Sequence, residues 1–81
     1  MQVKVRLFAR ARDLAGADSL EMALAPGDRV LELRDRLLQE RPALAPILER
    51  SAWAVNQEFA GLTTPLLDQA EVALLPPVSG G

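Results

Sequence analysis

The 81-residue sequence contains no cysteine and no histidine, and these absences exclude several kinds of chemistry. Without these side chains the chain cannot build the usual zinc sites or iron–sulfur clusters, and it has neither a thiol nucleophile nor a Ser-His-Asp triad. No disulfide supplements the core of a domain of this size, which buries only about 60–65% of the surface that its unfolded chain exposes. Any activity must therefore use other chemical groups.

Long apolar runs and aromatic residues are also scarce. No stretch approaches the ~18 apolar residues of a membrane span, and no basic start followed by an apolar core indicates a secretory signal. Two Phe, one Trp and no Tyr leave few platforms on which nucleic-acid bases could stack. With a formal net charge of −2, we therefore expect a cytoplasmic protein without a nucleic-acid or membrane partner.

The charges are unevenly distributed along the chain. Residues 1–12 carry four bases and no acid, namely Lys4, Arg6, Arg10 and Arg12, whereas residues 56–81 carry three acids and no base. Solvated charges on a strand explain the basic start, and an RNA-binding surface is the alternative.

The apolar pattern predicts short strands and one long helix. Period-two alternation predicts strands over residues 2–9, 19–24, 53–56, 58–60 and 71–75. Helical spacing of Val30, Leu33, Leu37 and Leu38 predicts an amphipathic helix over 29–40, preceded by Asp28 as N-cap. A short helical turn over 11–15 would end at Gly16.

Several single residues have expected structural roles. Trp53 is expected to anchor the core or a loop, and Asn56 with Gln57 suits a tight turn. Leu66 and Leu67 are expected to anchor a loop. On the long helix, the spacing of Glu32 and Arg36 predicts an i, i+4 ion pair.

This order of elements predicts one α+β domain over residues 1–81. A mixed four- to five-stranded sheet packed on one main helix is the natural two-layer arrangement, as in a β-grasp fold. Residues 76–81 would extend from this domain as a tail.

The tail has an unusual composition. Pro76 and Pro77 supply no backbone N–H, so they end the last strand and favour an extended arm. The chain then finishes with Val78, Ser79, Gly80 and Gly81. Because glycine has no Cβ, such a tail can thread a narrow channel and present an uncrowded terminal carbonyl to an activating enzyme. The alternative is a chain end without a role.

Four segments resemble the small, sulfur-carrying subunits of molybdopterin synthase, and the resemblance covers nearly the whole chain. The segments are Val3–Ala9, Arg12–Gly16, Ala54–Gln57 and Glu71–Gly81. The closing segment is the most specific of the four. One departure is that Gln69 and Ala70 stand where the family often has Gly and Asp, so a turn lacks its glycine.

The resemblance implies a ubiquitin-like β-grasp fold and a sulfur-transfer cycle centred on Gly81. An ATP-dependent activating enzyme would adenylate the Gly81 carboxylate, and a sulfur donor would convert this transient AMP adduct into a thiocarboxylate. The thiocarboxylate would give its sulfur to cyclic pyranopterin monophosphate, which forms the molybdopterin dithiolene. Pro76, Pro77, Val78, Ser79 and Gly80 would thread into the partners' active sites, and no permanently bound cofactor or metal is implied.

The resemblance also implies how the chain works with its partners. It would join the large subunit of molybdopterin synthase in a heterotetramer of two small and two large subunits. The catalytic side chains would lie on the large subunit, so this chain would be the sulfur-donating subunit of a sulfurtransferase without side-chain catalysis of its own.

Three apolar residues are candidates for the docking surface. Alternation directs Phe8 and Leu75 away from the helix, and Phe59 is expected beside them on another strand. In the family, the corresponding positions bind both the activating enzyme and the large subunit, although a minor second core under loops is the alternative. Arg10 and Arg12 beside this face are candidates for steering an acidic partner, with plain solvated charge as the alternative.

Two other functions stay open from the sequence. In the first, the chain carries sulfur for another pathway, such as thiazole or cysteine synthesis. In the second, it is a β-grasp binding module that makes no use of its tail. A carrier depends on Gly81, whereas a binding module depends on the bases Lys4, Arg6 and Arg10.

Overall fold

The computed structural model describes residues 1–76, which form a mixed five-stranded sheet with helices on one face. The strands are β1 Gln2–Leu7, β2 Ser19–Ala23, β3 Ala52–Val55, β4 Glu58–Ala60 and β5 Glu71–Leu75. The helices are α1 Ala9–Ala15, α2 Val30–Glu40 and α3 Ala45–Leu48, with a 3-10 helix at Pro42–Leu44. The predicted α+β class is confirmed.

The order of strands places β5 at the centre of the sheet. The order is β2-β1-β5-β3-β4, in which β1 and β5 run parallel and all other neighbours run antiparallel. Leu7 of β1 lies opposite Leu74 of β5. Since parallel strands end at the same edge of a sheet, the chain leaves β5 beside the start of α1.

One apolar core lies between the sheet and α2. The inward residues of the two central parallel strands are fully or almost fully buried, and so are three residues of α2. These eight residues are Val3, Val5, Leu7, Val72, Leu74, Val30, Leu33 and Leu37. Trp53 is also buried, as predicted. The prediction for Leu38 is wrong, because this side chain is 40% exposed; a position next to Leu37 is rotated by about 100° around the helix.

The N-terminus of α2 is capped differently from the prediction. The Val30 and Leu31 N–H groups donate to the carbonyl oxygens of Thr64 and Leu62, both at 3.0 Å. The Asp28 carboxylate instead accepts the Ala25 N–H at 2.9 Å and closes the preceding turn. Asp28 is therefore not the N-cap, since carbonyls of the loop between β4 and β5 satisfy the free N–H groups of the helix.

The predicted ion pair between Glu32 and Arg36 is also wrong. Glu32 accepts the backbone N–H of Arg29 at 2.8 Å and binds its guanidinium through two contacts of 2.9 Å. Arg36 turns the other way and pairs with Glu40 at 3.3 Å. Glu32 thus pairs towards the helix start, where a carboxylate is favoured by the helix dipole.

Two predicted chain reversals are confirmed. Gly16 ends α1 with a φ of +73°, and its N–H donates to the Arg12 carbonyl at 3.0 Å. Asn56 and Gln57 have φ values of +48° and +73° and form a two-residue hairpin loop between β3 and β4, as in a type I′ turn. The Asn56 Oδ1 atom also accepts the Glu71 N–H at 3.0 Å, which fixes the hairpin to β5.

The turn that lacks its expected glycine still forms. The Ala70 N–H donates to the Leu67 carbonyl at 3.1 Å, and Gln69 takes a φ of +67° at the third position, as a type II turn requires. The Gln69 N–H donates to the Gln2 carbonyl at 2.7 Å, which fixes the turn to β1. The substitution therefore strains the backbone of Gln69 and leaves the turn in place.

Leu66 and Leu67 have opposite environments in the loop before this turn. Leu66 is buried in the core, as predicted. Leu67 is 76% exposed, so its prediction as a loop anchor is wrong. At the adjacent turn the two consecutive side chains point in different directions, Leu66 into the core and Leu67 into solvent. Their shared hydrophobicity does not predict this difference.

Candidate functional site

The tail begins at the central strand of the sheet. β5 is hydrogen-bonded to β1 on one side and to β3 on the other, and Leu74 is fully buried. Pro76, directly after the strand, is exposed. The predicted tail residues Pro77, Val78, Ser79, Gly80 and Gly81 lie outside the described residues.

A row of side chains crosses the sheet face that the helices leave open. In register, Phe59 lies opposite Ala54, Ala54 lies opposite Ala73, and Ala73 lies opposite Arg6. Ala54 is buried yet lies outside the core cluster, as expected for a residue on the other side of the sheet. Phe59 is 84% exposed at one end of this row. The row, together with Leu75 and Phe8, is called the open face below.

Phe8 and Leu75 both lie at the edge of the sheet where the tail begins. Leu75 lies two residues beyond Ala73 on the same face and is half-buried. Phe8 is 38% exposed, and its ring centroid lies 5.9 Å from Cζ of Arg6, which places both on the open face. The parallel ladder ends with Leu7 opposite Leu74, and Phe8 and Leu75 are the residues that directly follow this pair.

The predicted first strand extended too far. β1 ends at Leu7, and Phe8 is the extended residue that precedes α1, with φ −129° and ψ +155°. The extended backbone preserves the alternation by which the Phe8 side chain faces away from the core. The structure therefore brings Phe8, Leu75 and Phe59 to one face, while their role in docking stays a prediction.

The sequence interpretation missed Ala54 and Ala73. Their small side chains make the centre of the open face shallow, between Phe59 at one end and Arg6 at the other. A signal was present for Ala73, which lies between the buried Val72 and Leu74. It was weaker for Ala54, which lies between the buried Trp53 and the half-buried Val55. Because an alanine side chain is small, its hydrophobicity alone does not predict a binding surface. The strand register, which pairs Ala54 with Phe59, is needed to identify it.

The open face has an apolar half and a charged half. On β1, Arg6 lies 3.6 Å from Glu71 of β5, and both side chains are about half exposed. An exposed ion pair of this kind contributes about 0–1 kcal/mol to stability. The pair also borders the apolar half on one side with charged groups, and a polar border is typical of a protein interface.

The two candidate arginines lie on α1, beside the tail exit and not within the open face. Both are exposed. Arg12 contacts Asp13 at 3.9 Å, whereas Arg10 forms no ion pair with any of residues 1–76. The structure thus separates the arginines from the row that contains Phe59.

Two further properties of residues 1–76 concern metal binding and membrane insertion. No group of three His, Cys, Asp or Glu residues there could hold a metal ion. None of the helices in this range is long and apolar enough to cross a membrane.

Comparison with known proteins identifies close relatives over the full length. The ThiS family matches residues 5–81. The molybdopterin synthase sulfur carrier subunit of Escherichia coli is 40% identical over 81 residues, covering 98% of this chain and 99% of that protein. The protein of the same name from Chlamydomonas reinhardtii is 35% identical over 83 residues, with both chains fully covered.

Solved structures with the same fold include proteins of three kinds. SAMP1 from Haloferax volcanii superposes with a TM-score of 0.90 and 27% identity, covering all of both chains. A chain from the complex of subunits 1 and 2 of molybdopterin-converting factor from Helicobacter pylori superposes with a TM-score of 0.73 and 34% sequence identity, and all of both chains is covered. A ubiquitin from Caldiarchaeum subterraneum has the same fold, with a TM-score of 0.66 and 17% sequence identity. The superposition covers 100% of this chain and 98% of that chain. The predicted ubiquitin-like β-grasp fold is confirmed.

Proposed function

This chain belongs to the ThiS family, and we propose that it acts as the sulfur carrier subunit of a molybdopterin synthase. The observation that carries the proposal is its end-to-end likeness to proteins of that name, at 40% and 35% identity. The fold supports it, because a tail that leaves a central strand has a rigid base from which its end can be positioned.

The chemistry begins with activation of Gly81. A carboxylate oxygen of Gly81 attacks the α-phosphorus of ATP, pyrophosphate leaves, and an acyl-adenylate forms. A sulfide-equivalent donor then attacks the acyl carbon, the bond from this carbon to the AMP oxygen breaks, and AMP departs. A thiocarboxylate remains on Gly81. Because sulfur is more polarizable than oxygen, this group is a ready nucleophile.

The thiocarboxylate sulfur then attacks a carbon of cyclic pyranopterin monophosphate and displaces an oxygen substituent. Water cleaves the bond between the acyl carbon and the sulfur, which leaves the sulfur on the substrate and restores the Gly81 carboxylate. Because the dithiolene of molybdopterin contains two sulfur atoms, two loaded chains are used for each product. The chain needs no catalytic side chain for this step, because the sulfur is attached to its backbone end. Its own contribution is to place that end within the active site of a larger partner. No cofactor has to be bound permanently.

The proposed partners are a large synthase subunit and an ATP-dependent activating enzyme. The Helicobacter pylori relative is a subunit in a two-subunit complex, which supports a large-subunit partner for this chain. We propose a heterotetramer of two small and two large subunits in the cytoplasm. The open face would bind each partner in turn, with Phe8, Phe59 and Leu75 as its apolar contacts and the tail residues Pro76 to Gly80 threaded into the active site.

An intact-mass experiment tests the carrier function. The full chain is incubated with ATP, a sulfide source and a cognate activating enzyme. We expect the mass to rise by the difference between sulfur and oxygen, with the change located at Gly81. Deletion of Gly81, or addition of one residue after it, should abolish the change, whereas the exposed helix variant Gln39→Ala should be loaded like the wild type.

Loading without Gly81 would disprove the proposal. Failure of the wild-type chain to load, with an enzyme shown to activate another carrier, would favour a binding module that makes no use of its tail. Capture experiments with purified partners separate the carrier pathways. Binding to a thiazole-forming or cysteine-forming synthase in place of the large molybdopterin synthase subunit would assign the chain to that pathway.

The TM-score of 0.90 with SAMP1 favours a second candidate function. SAMP1 is named a small archaeal modifier protein, and the same Gly81 acyl-adenylate could modify a protein. A lysine amine of a target would attack the acyl carbon, AMP would leave, and an amide bond would form. Amide-linked conjugates that depend on Gly81, found by mass spectrometry in the absence of sulfide, would identify this activity.

A further inference from the structure

Lys4 is the only lysine in the sequence. The chain has nine basic residues, and all of the others are arginines. A guanidinium stays protonated in proteins, whereas a lysine amine can lose its proton and act as a nucleophile. The arginines therefore carry positive charge without offering an acceptor for an activated carboxyl group.

The α-amine of Met1 is engaged in the fold. It donates to the Leu24 carbonyl at 2.8 Å, and Met1 packs against the core. Lys4, by contrast, is exposed and forms no ion pair with any of residues 1–76. Among these residues, the amine of Lys4 is thus the one that is free to react.

Two carboxylates flank Lys4 on the side of the sheet that the helices leave open. Glu21 lies opposite Lys4 on β2, and Glu71 lies opposite it on β5. Glu71 pairs with Arg6 at 3.6 Å, whereas Glu21 forms no ion pair with any of residues 1–76. The free carboxylate of Glu21 can therefore accept a proton from a reacting amine beside it.

A cavity of about 280 Å³ opens beside this amine. It is lined by Gln2, Val3, Lys4, Glu21 and Gln69, all of them exposed except Val3. The exposed side chains are two amides, a carboxylate and the amine, so they can hydrogen-bond a peptide backbone. A Gly-Gly end has only backbone polar groups and no side chain that would keep it out of such a cavity.

The tail of the same chain is poorly placed to reach this cavity. Lys4 lies opposite Glu71, four residues before Leu75 on β5. The sequence predicts that the two prolines after Leu75 continue as an extended arm, which places Lys4 about 20 Å behind the second proline. The four residues that remain span at most about 14 Å, even before the chain reverses its direction. A second copy, which approaches from outside, has no such limit.

We propose that Lys4 is the acceptor for the activated Gly81 of a second copy of this chain. The inference rests on the proposed function, because it uses the same Gly81 acyl-adenylate, here without a sulfur donor. The neutral Lys4 amine attacks the acyl carbon, the bond from this carbon to the AMP oxygen breaks, and AMP departs. The nitrogen passes its extra proton to Glu21, and an amide bond joins the two chains.

The test is incubation of the full chain with ATP and a cognate activating enzyme in the absence of sulfide. We expect a covalent dimer whose mass is that of two chains less one water. Tandem mass spectrometry should place the amide bond between Gly81 and Lys4. Lys4→Arg keeps the charge and should abolish the dimer, while sulfur loading of Gly81 in the presence of sulfide stays unchanged.

Two further variants test whether the surroundings of Lys4 matter. Glu21→Gln should slow dimer formation roughly tenfold or more, because it removes the proton acceptor. Lys4→Arg with Arg36→Lys moves the only lysine to an exposed position on α2, beside Glu40. An exposed ion pair there is too weak to withhold the amine, yet this variant should form much less dimer. Circular dichroism checks that both variants fold.

The results separate this inference from the proposed function. If the wild-type chain is not loaded with sulfur when sulfide is present, the proposed function fails. If it is loaded, but forms no Lys4-linked dimer without sulfide, the inference is wrong. Equal dimer yields from the relocated lysine, or a wild-type rate for Glu21→Gln, would also overturn it, because any exposed amine would then suffice. A cyclic product, with the mass of one chain less one water, would contradict transfer between copies.

Discussion

Phe59 lies directly opposite Ala54 in the β3–β4 ladder, and its ring is 84% exposed on the open face. Because the ring contributes little to the core, Phe59→Ala should change the free energy of unfolding by no more than about 0.5 kcal/mol. We expect the same change to raise the dissociation constant for the large subunit roughly tenfold or more, as for a central aromatic contact. Titration calorimetry and urea unfolding measure the two effects.

The matched control for Phe59 is Leu67→Ala. Leu67 is similarly exposed, at 76%, but it belongs to the loop before β5 and not to the open face. We expect this change to leave binding to the large subunit unaffected. Equal losses of affinity in the two variants would show that general surface hydrophobicity, and not the open face, drives association.

Replacing Gln69 with glycine should stabilise the fold. Gln69 has a φ of +67° at the third position of its turn, where a Cβ atom is unfavourable. Relief of this strain, reduced by the greater freedom of glycine in the unfolded chain, gives an expected gain of about 0.5–1 kcal/mol. Urea unfolding should show a higher midpoint for Gln69→Gly and little change for Gln69→Ala, which keeps the Cβ atom. A gain in both variants would argue against backbone strain as the cause.

Glu32 should make the stability of the fold depend on acid pH. Hydrogen bonds from the Arg29 side chain and backbone lower the pKa of Glu32 from 4.5 to about 2. A carboxyl group with a lowered pKa in the folded state stabilises above its unfolded pKa and loses this contribution as the pH falls. The urea midpoint should therefore decrease as the pH is lowered from 4.5 to 2. In Glu32→Gln this dependence of the midpoint on pH should be weaker.

Comparison of the wild type with Glu32→Gln at several pH values isolates the contribution of the Glu32 charge to stability. The stability difference between the wild type and Glu32→Gln should be constant well above pH 4.5 and should shrink as the pH falls through 4.5 towards 2. Asp68 contributes to the slope that remains in the variant, because the backbone N–H of Gln2 lowers the pKa of its carboxyl group. A difference that does not change with pH would show that Glu32 acts by packing or helix propensity instead.

Two neighbouring leucines of α2 should respond very differently to truncation. Leu37 is fully buried, whereas Leu38 is 40% exposed. Leu37→Ala should lower the free energy of unfolding by about 2–5 kcal/mol, because it removes apolar contacts and leaves a cavity. Leu38→Ala removes the same atoms and should cost less than about 1 kcal/mol. Similar losses for both would mean that the helix is rotated from the orientation described.

Much of the fold was predictable because strong local patterns agree with it. Alternation in β1 and β5 correctly identified Val3, Val5, Val72 and Leu74 as core residues. Helical spacing identified α2, and Gly16 identified the end of α1. Alternation also placed Phe8 and Leu75 away from the core. These signals depend on residues close in sequence, so no knowledge of distant contacts was needed.

Two of the incorrect predictions concern a choice between competing partners. Asp28 has the composition of an N-cap, yet the loop between β4 and β5 supplies the carbonyls that the helix N–H groups bind. Glu32 could pair with Arg36 along the helix, but the backbone N–H and guanidinium of Arg29 offer it three contacts. A sequence pattern shows which partners are available, whereas the competition between them depends on three-dimensional positions.

The strands and the main helix are recognisable in the amino-acid sequence, because backbone preferences and side-chain periodicity act over a few residues. The sequence does not show that β5 lies at the centre of the sheet, that Phe59, Ala54 and Ala73 form one row, or that α1 begins beside the tail exit. These relationships join residues far apart in the chain. They are fixed by strand order and register, which follow from burying all apolar faces together in one core.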